Sequence, residues 1–251
     1  FGDDRFFLIV YYTGAHAPYQ KRPGVPDFGS TLPDLYDSEI AYTDRELGPI
    51  LDHLRGERLR DRVVVVFVSD HGEAFGEHGD YYHGHNMYDE STRVPMLWSV
   101  PGLAPRRLGQ APVSLLDLAP TLLNLAGLAP LPGTRGHDLT GALVSGELAL
   151  DRHVFIEADY PREGYKVAVV TRDRKLIQET RSRTLLLYDL DADPGETTDI
   201  SDRDPEGLLE LRRALGVFKI DAAGRAAKPE AKAKPGPGPK AKPKPAPAAP
   251  P

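Results

Sequence analysis

Two apolar runs without alternation dominate the pattern of hydrophobic and polar positions along the chain, residues 6–11 and residues 63–68. An unalternating run of this length is typical of a strand that is buried on both faces of a mostly parallel sheet. Residues 96–100 form a third apolar segment of strand length. The pattern therefore predicts three strands of one sheet, and functional residues are expected where those strands end.

Two amphipathic helices are predicted between and after these strands. Apolar residues recur at helical spacing over 36–54 and again over 113–126. Gly56 and Gly127 follow the two segments, and a glycine in this position commonly ends a helix. Strands and helices in this order indicate a layered α/β unit.

The pattern changes after about residue 145. Shorter and more alternating segments joined by turns predict a small antiparallel sheet, and residues 205–215 predict a helix that closes it. We therefore divide the chain into an α/β domain, a small α+β subdomain and a tail that is rich in Pro, Lys and Ala, at residues 1–145, 146–225 and 226–251. The tail is expected to be disordered, because its composition cannot bury a core.

Composition narrows the function classes. The chain has 251 residues, 40% of them hydrophobic, and no apolar run is long enough for a membrane span or a signal peptide. The absence of cysteine excludes disulfides and thiolate nucleophiles from these residues. From residue 228 on, the chain has six lysines and a single acidic residue, Glu230. The rest of the chain is therefore more acidic than the net charge of -6 indicates. Nucleic-acid binding is therefore not expected, while the tail leaves a weak attraction to anionic surfaces open.

Candidate chemistry follows the strand at 63–68 directly. Asp70 and His71 stand side by side at its carboxyl end, and a carboxylate and an imidazole are both ligands for a divalent cation. Asp-His-Gly alone is also an ordinary strand-terminating turn. Half of the chain's eight histidines, however, crowd into residues 71–85, which favours a site: His71, His78, His83 and His85. His16 follows the first predicted strand in the same way.

The order and spacing of three motifs resemble the carboxyl-side half of the sulfatase family, within the alkaline phosphatase superfamily. The motifs are Ser-Asp-His-Gly-Glu at 69–73, Gly-Glu-His-Gly at 76–79 and Tyr-Asp-Glu-Ser-Thr-Arg-Val-Pro at 88–95. The similarity extends upstream to 7–19 and 36–54, downstream to 187–190 and 193–196, and in all over about 5–216. It implies an alkaline-phosphatase-like, mostly parallel sheet with covering helices, followed by a small antiparallel-sheet subdomain.

The resemblance also implies roles for individual residues. Asp70 and His71 match the ligands of the active-site cation, which is usually calcium, with magnesium, manganese or zinc as alternatives. His16 matches a histidine that contacts the sulfate or the leaving oxygen. His83 stands where the family commonly has a lysine on the sulfate, and an imidazole is cationic there only if its surroundings raise its pKa. His85 lies close enough to share or replace that role, whereas His78 belongs to the glycine-rich turn and is expected to be structural.

The family's nucleophile has no match in this chain. It is a formylglycine made within a Cys/Ser-x-Pro-x-Arg motif, and neither this motif nor the amino-terminal aspartate pair of the metal site is present. The formylglycine is therefore expected outside this chain. Our interpretation is that the chain is the second half of a longer protein and is inactive by itself.

Three function classes stay open at this point. The leading hypothesis is a sulfuric ester hydrolase that uses a divalent metal on a sulfate ester. A phosphodiesterase, a phosphonate monoester hydrolase or a phosphotransferase of the same superfamily would act on a phosphate ester instead, and a non-catalytic, sulfatase-like binding module is the alternative outside the enzymes. The sequence does not fix the location, although the resemblance favours a periplasmic, extracellular or membrane-anchored protein.

Overall fold

The computed structural model describes residues 5–109, 111–148, 151–160 and 164–226. The helices are α1 (Leu32–Arg55), α2 (Asp89–Thr92), α3 (Leu118–Leu125), α4 (Thr140–Ser145) and α5 (Pro205–Ala226), with a 3-10 turn at Leu115–Asp117. The strands are β1 (Val65–Val68), β2 (Ala74–Phe75), β3 (Tyr81–Tyr82), β4 (Met96–Ser99), β5 (Val154–Tyr160), β6 (Gly164–Val170), β7 (Arg174–Glu179) and β8 (Thr184–Asp189). None of the described helices is long and apolar enough to cross a membrane.

The helix predicted at 36–54 is confirmed as α1, which begins earlier because of a capping box. The Thr31 hydroxyl accepts a hydrogen bond from the Asp34 amide at 3.3 Å, and the Asp34 carboxylate accepts one from the Thr31 amide at 2.8 Å. These two bonds satisfy donors that the first helical turn leaves without partners. The helix ends at Gly56, the predicted stop.

The strand predicted at 6–11 is not present. Residues 5–13 have no regular structure, and Phe7 and Ile9 are 77% and 74% exposed. A strand exists only through hydrogen bonds to a neighbouring strand, and none of the described strands lies beside this segment. The apolar run therefore has no sheet to enter among the described residues.

The strand predicted at 63–68 is confirmed as β1, and the one predicted at 96–100 as β4. The two strands pair with each other in antiparallel order, with Val66 opposite Trp98. Phe67 and Leu97 are exposed, so this sheet lacks the burial on both faces that the unalternating sequence predicts. Parallel pairing is absent from the described sheets, all of which pair antiparallel.

The small antiparallel sheet predicted after residue 145 is confirmed. Strands β5 to β8 pair with their sequence neighbours in the order 5-6-7-8. The inner residues of one sheet face pack against Leu211 and Leu215 of α5, which extends beyond the predicted helix end. On the other face, Ala168, Ile177 and Tyr188 pack against Met87. Met87 follows the histidine-rich segment, residues 71–85, so this second contact attaches that segment to the sheet.

Except for Ala226, the last residue of α5, the predicted disordered tail lies outside the described residues.

A fully buried lysine joins the same segment to the sheet. The Nζ atom of Lys175 in β7 lies 2.9 Å from Asp89 Oδ1 and 2.8 Å from Glu196 Oε1. The second oxygen of Glu196 accepts a hydrogen bond from the Asp89 amide at 2.6 Å. Because a buried charge without a partner is strongly disfavoured, the fully buried Lys175 requires these two carboxylates.

His78 belongs to the same buried network. Its ring donates to Glu90 Oε1 at 2.9 Å and to the Glu196 carbonyl at 3.1 Å, and it stacks on Tyr88 with 3.6 Å between ring centroids. Burial works against a charged imidazole, but these two hydrogen bonds outweigh it and raise the pKa of His78. Its contacts are those of a structural residue, as the sequence interpretation expects.

A second buried ion pair lies at the start of α3. Arg152 binds both carboxylate oxygens of Asp117, which also accept hydrogen bonds from the Ser114 and His137 amides, each at 2.8 Å. Burial opposes ionisation, but Arg152 and the two amides outweigh it and lower the pKa of Asp117. Asp117 and Arg152 lie on opposite sides of the domain boundary that the sequence predicts between residues 145 and 146. That boundary stays a prediction.

Replacing Lys175 by Met should destabilise the protein strongly. The substitution keeps the side-chain volume but leaves the buried carboxylate of Glu196 and the partly exposed carboxylate of Asp89 without their cation, so we expect a loss of about 3–5 kcal/mol in the free energy of unfolding. Chemical denaturation measures it. The control is Lys21→Met, which removes an exposed ion pair with Asp27 and should cause no measurable change. Equal effects of both variants would contradict a supporting role for the buried network.

The raised pKa of His78 predicts a pH-dependent stability. Its contribution to the free energy of unfolding is fully present below about pH 6.5, the pKa of an unfolded histidine, and is lost as the pH rises through the raised folded-state pKa. The stability difference between the wild-type protein and His78→Asn should therefore shrink with rising pH. Denaturation curves at several pH values measure it. His53→Asn, at an exposed position of α1, is the control, and a similar trend there would refute the assignment.

Candidate active site

The carboxyl end of β1 makes a sharp turn that brings Asp70 and His71 to the surface. The Ser69 hydroxyl donates to the His71 carbonyl at 2.7 Å, and the Gly72 amide donates to the Ser91 carbonyl at 2.9 Å. A Cβ atom on Gly72 would lie 2.1 Å from the Glu90 carbonyl oxygen, so only glycine fits. The turn is thereby held directly against α2.

Asp70 and His71 are oriented as a pair of ligands. The side chains are 63% and 42% exposed, and His71 Nε2 lies 3.8 Å from Asp70 Oδ1. His71 Nδ1 donates to the Gly72 carbonyl at 2.8 Å, which leaves Nε2 with its lone pair free to bind. One cation with ligand distances of roughly 2.0–2.6 Å can contact both atoms at this separation. The two residues therefore fit a divalent cation.

Two ligands do not complete a metal site. Within the described part of the chain, no group of three or more His, Asp or Glu side chains is arranged to hold a metal ion. A hard cation such as calcium takes six to eight oxygen ligands, far more than Asp70 supplies. The remaining ligands would have to come from other groups, and the aspartate pair expected outside this chain stays a prediction.

His16 reaches the same place from the loop that precedes α1. Its Nδ1 donates to the Ala17 carbonyl at 2.7 Å, which again leaves Nε2 outward. The loop is fastened to α1 by Arg22, which binds the fully buried carboxylate of Glu39 at 2.6 Å, and by the Gln20 amide, which donates to Glu39 at 3.2 Å. The position of His16 thus depends on α1.

His83 lies between His16 and His71. Its ring stacks on His71 with 3.9 Å between centroids and meets His16 edge-on at 5.8 Å. Its Nδ1 donates to Glu73 Oε1 at 3.1 Å. The structure therefore brings together His16, His71 and His83 beside Asp70, and each of the three histidines donates through Nδ1 to a protein oxygen.

His85 follows on the same loop, and its backbone carbonyl accepts a hydrogen bond from the buried Lys166 of β6. Lys166 also pairs with Glu179 at 3.0 Å. These contacts tie the loop to the C-terminal sheet. A role for the His85 ring in sharing or replacing that of His83 stays a prediction.

Sequence reasoning missed two buried residues of the site, Glu73 and Tyr19. The Tyr19 hydroxyl donates to Glu73 Oε2, while the other carboxylate oxygen binds His83. Burial and then the hydrogen bond to Glu73 raise the pKa of Tyr19, so its hydroxyl stays protonated. Both residues stand in segments that carry the resemblance, Glu73 two positions after His71 and Tyr19 three after His16. Their position in these segments is the signal by which the sequence could have revealed them as residues of the site.

Two protein-family models match this chain. The family model described as Sulfatase matches residues 2–128, and the one described as N-sulphoglucosamine sulphohydrolase, C-terminal, matches residues 76–215.

Two curated relatives are an arylsulfatase K from Gallus gallus and a choline-sulfatase from Rhizobium meliloti. The first is 30% identical over 200 residues, covering 72% of this chain and 36% of its own length. The second is 34% identical over 186 residues, covering 70% and 34%. The chain thus spans about a third of the length of these relatives.

A solved structure of a 2-O GAG sulfatase shares the fold. It superposes with a TM-score of 0.68 at 24% identity, over 78% of this chain and 44% of that one. The sheet and helices described above are therefore part of an alkaline-phosphatase-like α/β fold. Since one family model covers half of the sequence and a second covers the site and the C-terminal sheet, the chain belongs to the sulfatase family.

Proposed function

We propose that this chain forms the cation-binding and histidine-bearing part of a sulfuric ester hydrolase. The proposal is carried by the grouping of His16, His71 and His83 beside Asp70 at the end of β1. Ring nitrogens that donate hydrogen bonds suit the charge that develops on the oxygens of a sulfate ester during cleavage. Membership in the sulfatase family supports the same reaction class.

Asp70 and His71 would hold the divalent cation that the family generally uses. When bound, such an ion supplies Lewis-acid stabilisation of negative oxygen. The carboxylate of Asp70 and the Nε2 atom of His71 are the atoms available to it. Calcium is the first ion to test, followed by manganese, magnesium and zinc, because a carboxylate ligand suits calcium, magnesium and manganese and an imidazole ligand suits zinc.

The other histidines would act on the substrate. His16 and His83 hold and neutralise the sulfuryl oxygens, and His16 or His85 gives a proton to the leaving alkoxide as its bond to sulfur breaks. Because Nδ1 of each ring already donates, to Ala17 and to Glu73, Nε2 is the atom that His16 and His83 present to the substrate, and it must also carry a proton to donate there. The nucleophile, expected to be a formylglycine, is supplied from outside this chain.

Replacing His16 or His83 by Asn in the full-length protein should lower kcat/KM for an aryl sulfate by roughly 10²–10³, the effect of removing one donor to a developing oxyanion. His53→Asn, on the exposed side of α1, is the matched control and should retain wild-type turnover. Parallel assays with an aryl phosphonate monoester and an aryl phosphodiester identify the reaction class. A higher kcat/KM on either phosphorus substrate would refute the sulfatase assignment, and sulfate binding without any turnover would indicate a binding module.

Replacing Asp70 by Ala should abolish metal retention and activity together, because it removes the only carboxylate that this strand end offers to the ion. Metal content of the purified full-length protein, measured by mass spectrometry, tests the assignment. Asp44→Ala, at an exposed position of α1, is the control and should keep its metal. An Asp70→Ala protein with wild-type metal content would show that this residue is not a ligand.

A further inference from the structure

Glu73 is a buried carboxylate that the proposed reaction does not use. It is 8% exposed and has a partner on each oxygen: the Tyr19 hydroxyl donates to Oε2, and His83 Nδ1 donates to Oε1 at 3.1 Å. Tyr19 is itself buried, among the rings of Tyr36, Phe75 and Tyr82. A chain of hydrogen bonds therefore runs from an aromatic cluster through Glu73 to the ring of His83.

His83 differs from its two neighbours in how its ring is held. His16 and His71 donate through Nδ1 to the carbonyl of the next residue, so their orientation is set locally. His83 donates instead to a carboxylate on another segment. Removing that carboxylate would leave the His83 ring held by its contacts with the rings of His71 and His16, which a half-turn of the ring about its Cβ–Cγ bond would preserve.

The residue directly before His83 has an unfavourable backbone conformation. Tyr82, the residue before it, has φ of +66°. This left-handed conformation is unfavourable for a bulky side chain and persists only when surrounding contacts impose it. Surrounding contacts therefore fix the backbone that leads into His83.

We propose that Glu73, supported by Tyr19, is the positioning residue that fixes the His83 ring with its Nε2 atom toward the sulfate group of the substrate. This inference rests on the proposed function for the identity of the ligand. The placement of the ring does not depend on that identity. Glu73 and Tyr19 act through His83, and neither is assigned a contact with the substrate.

Two substitutions in the full-length protein separate a role of Glu73 in positioning His83 from a role in stabilising the fold. Glu73→Leu leaves the Tyr19 hydroxyl buried without an acceptor, so both stability and activity should fall. Adding Tyr19→Phe removes that hydroxyl, and replacing both partners of a buried hydrogen bond by apolar groups is often nearly neutral for stability. The double variant should therefore recover its melting temperature while kcat/KM for an aryl sulfate stays roughly 10–100-fold low, the usual effect of losing an orienting partner.

A double-mutant cycle tests whether the effect passes through His83. In a His83→Ala background the Glu73→Leu/Tyr19→Phe pair should change kcat/KM by no more than about twofold, since the ring that it orients is gone. Recovery of activity together with stability, or full additivity with His83→Ala, would overturn the proposal. Glu90→Gln is the matched control, because its side chain forms the same kind of pair with His78, a ring that the proposed reaction does not use, and the substitution leaves the Glu90 carbonyl beside Gly72 in place. It should lower stability and leave kcat/KM unchanged.

Nitrogen NMR of ¹⁵N-labelled histidine rings provides a readout that needs no turnover. In the wild-type protein the His83 signals, assigned by their loss in His83→Ala, should show a proton held on Nδ1. The double variant should lose this preference, whereas Glu90→Gln should keep it. A protein that shows the Nδ1 proton but no sulfatase activity would disprove the proposed function and retain the positioning role. An unchanged His83 spectrum in the double variant would disprove the positioning role alone.

Discussion

The ion pairs of buried Lys175 are the contact on which the arrangement of this protein depends. Lys175 lies in the C-terminal sheet, whereas Asp89 begins the helix that follows the histidine-rich segment and Glu196 lies beyond β8. Lys175 and Glu196 are both buried, so neither can separate from its partners without a large cost in free energy. The sheet therefore acts as a base on which the histidine-rich segment is fixed, and Met87 and Lys166 add packing and a further hydrogen bond to the same attachment.

The site is assembled from short segments that are each anchored by a different part of the fold. The loop with His16 is held on α1 through Glu39, and the turn with Asp70 and His71 is held on α2 through Gly72. His83 is held through Glu73. Because every anchor is a hydrogen bond or ion pair with a buried partner, the ring nitrogens are oriented before any ligand arrives. Such preorganisation is what electrostatic stabilisation of a reacting anion requires.

The sequence predicted well those elements whose signals are local. Helical spacing and stop glycines located α1 and α3, and alternation located the C-terminal sheet, since these patterns arise within one element. Residues 6–11 failed as a strand because strand formation depends on a neighbour that the local pattern does not reveal. Lys175 and Glu73 escaped notice for a related reason. A charged residue within a sequence is expected to be exposed, and only the fold shows that its partners, distant in the chain, allow it to be buried.

Gly72 has a consequence for how this sequence can vary. The missing Cβ lets one turn touch both the ligand pair and the Glu90 carbonyl, so the residue belongs to the site and to the support of α2 at once. Adding a single methyl group there would push α2 away from β1, and Asp89 at the start of α2 would move with it away from Lys175. Natural variants at this position would therefore combine defects in abundance and in ligand geometry.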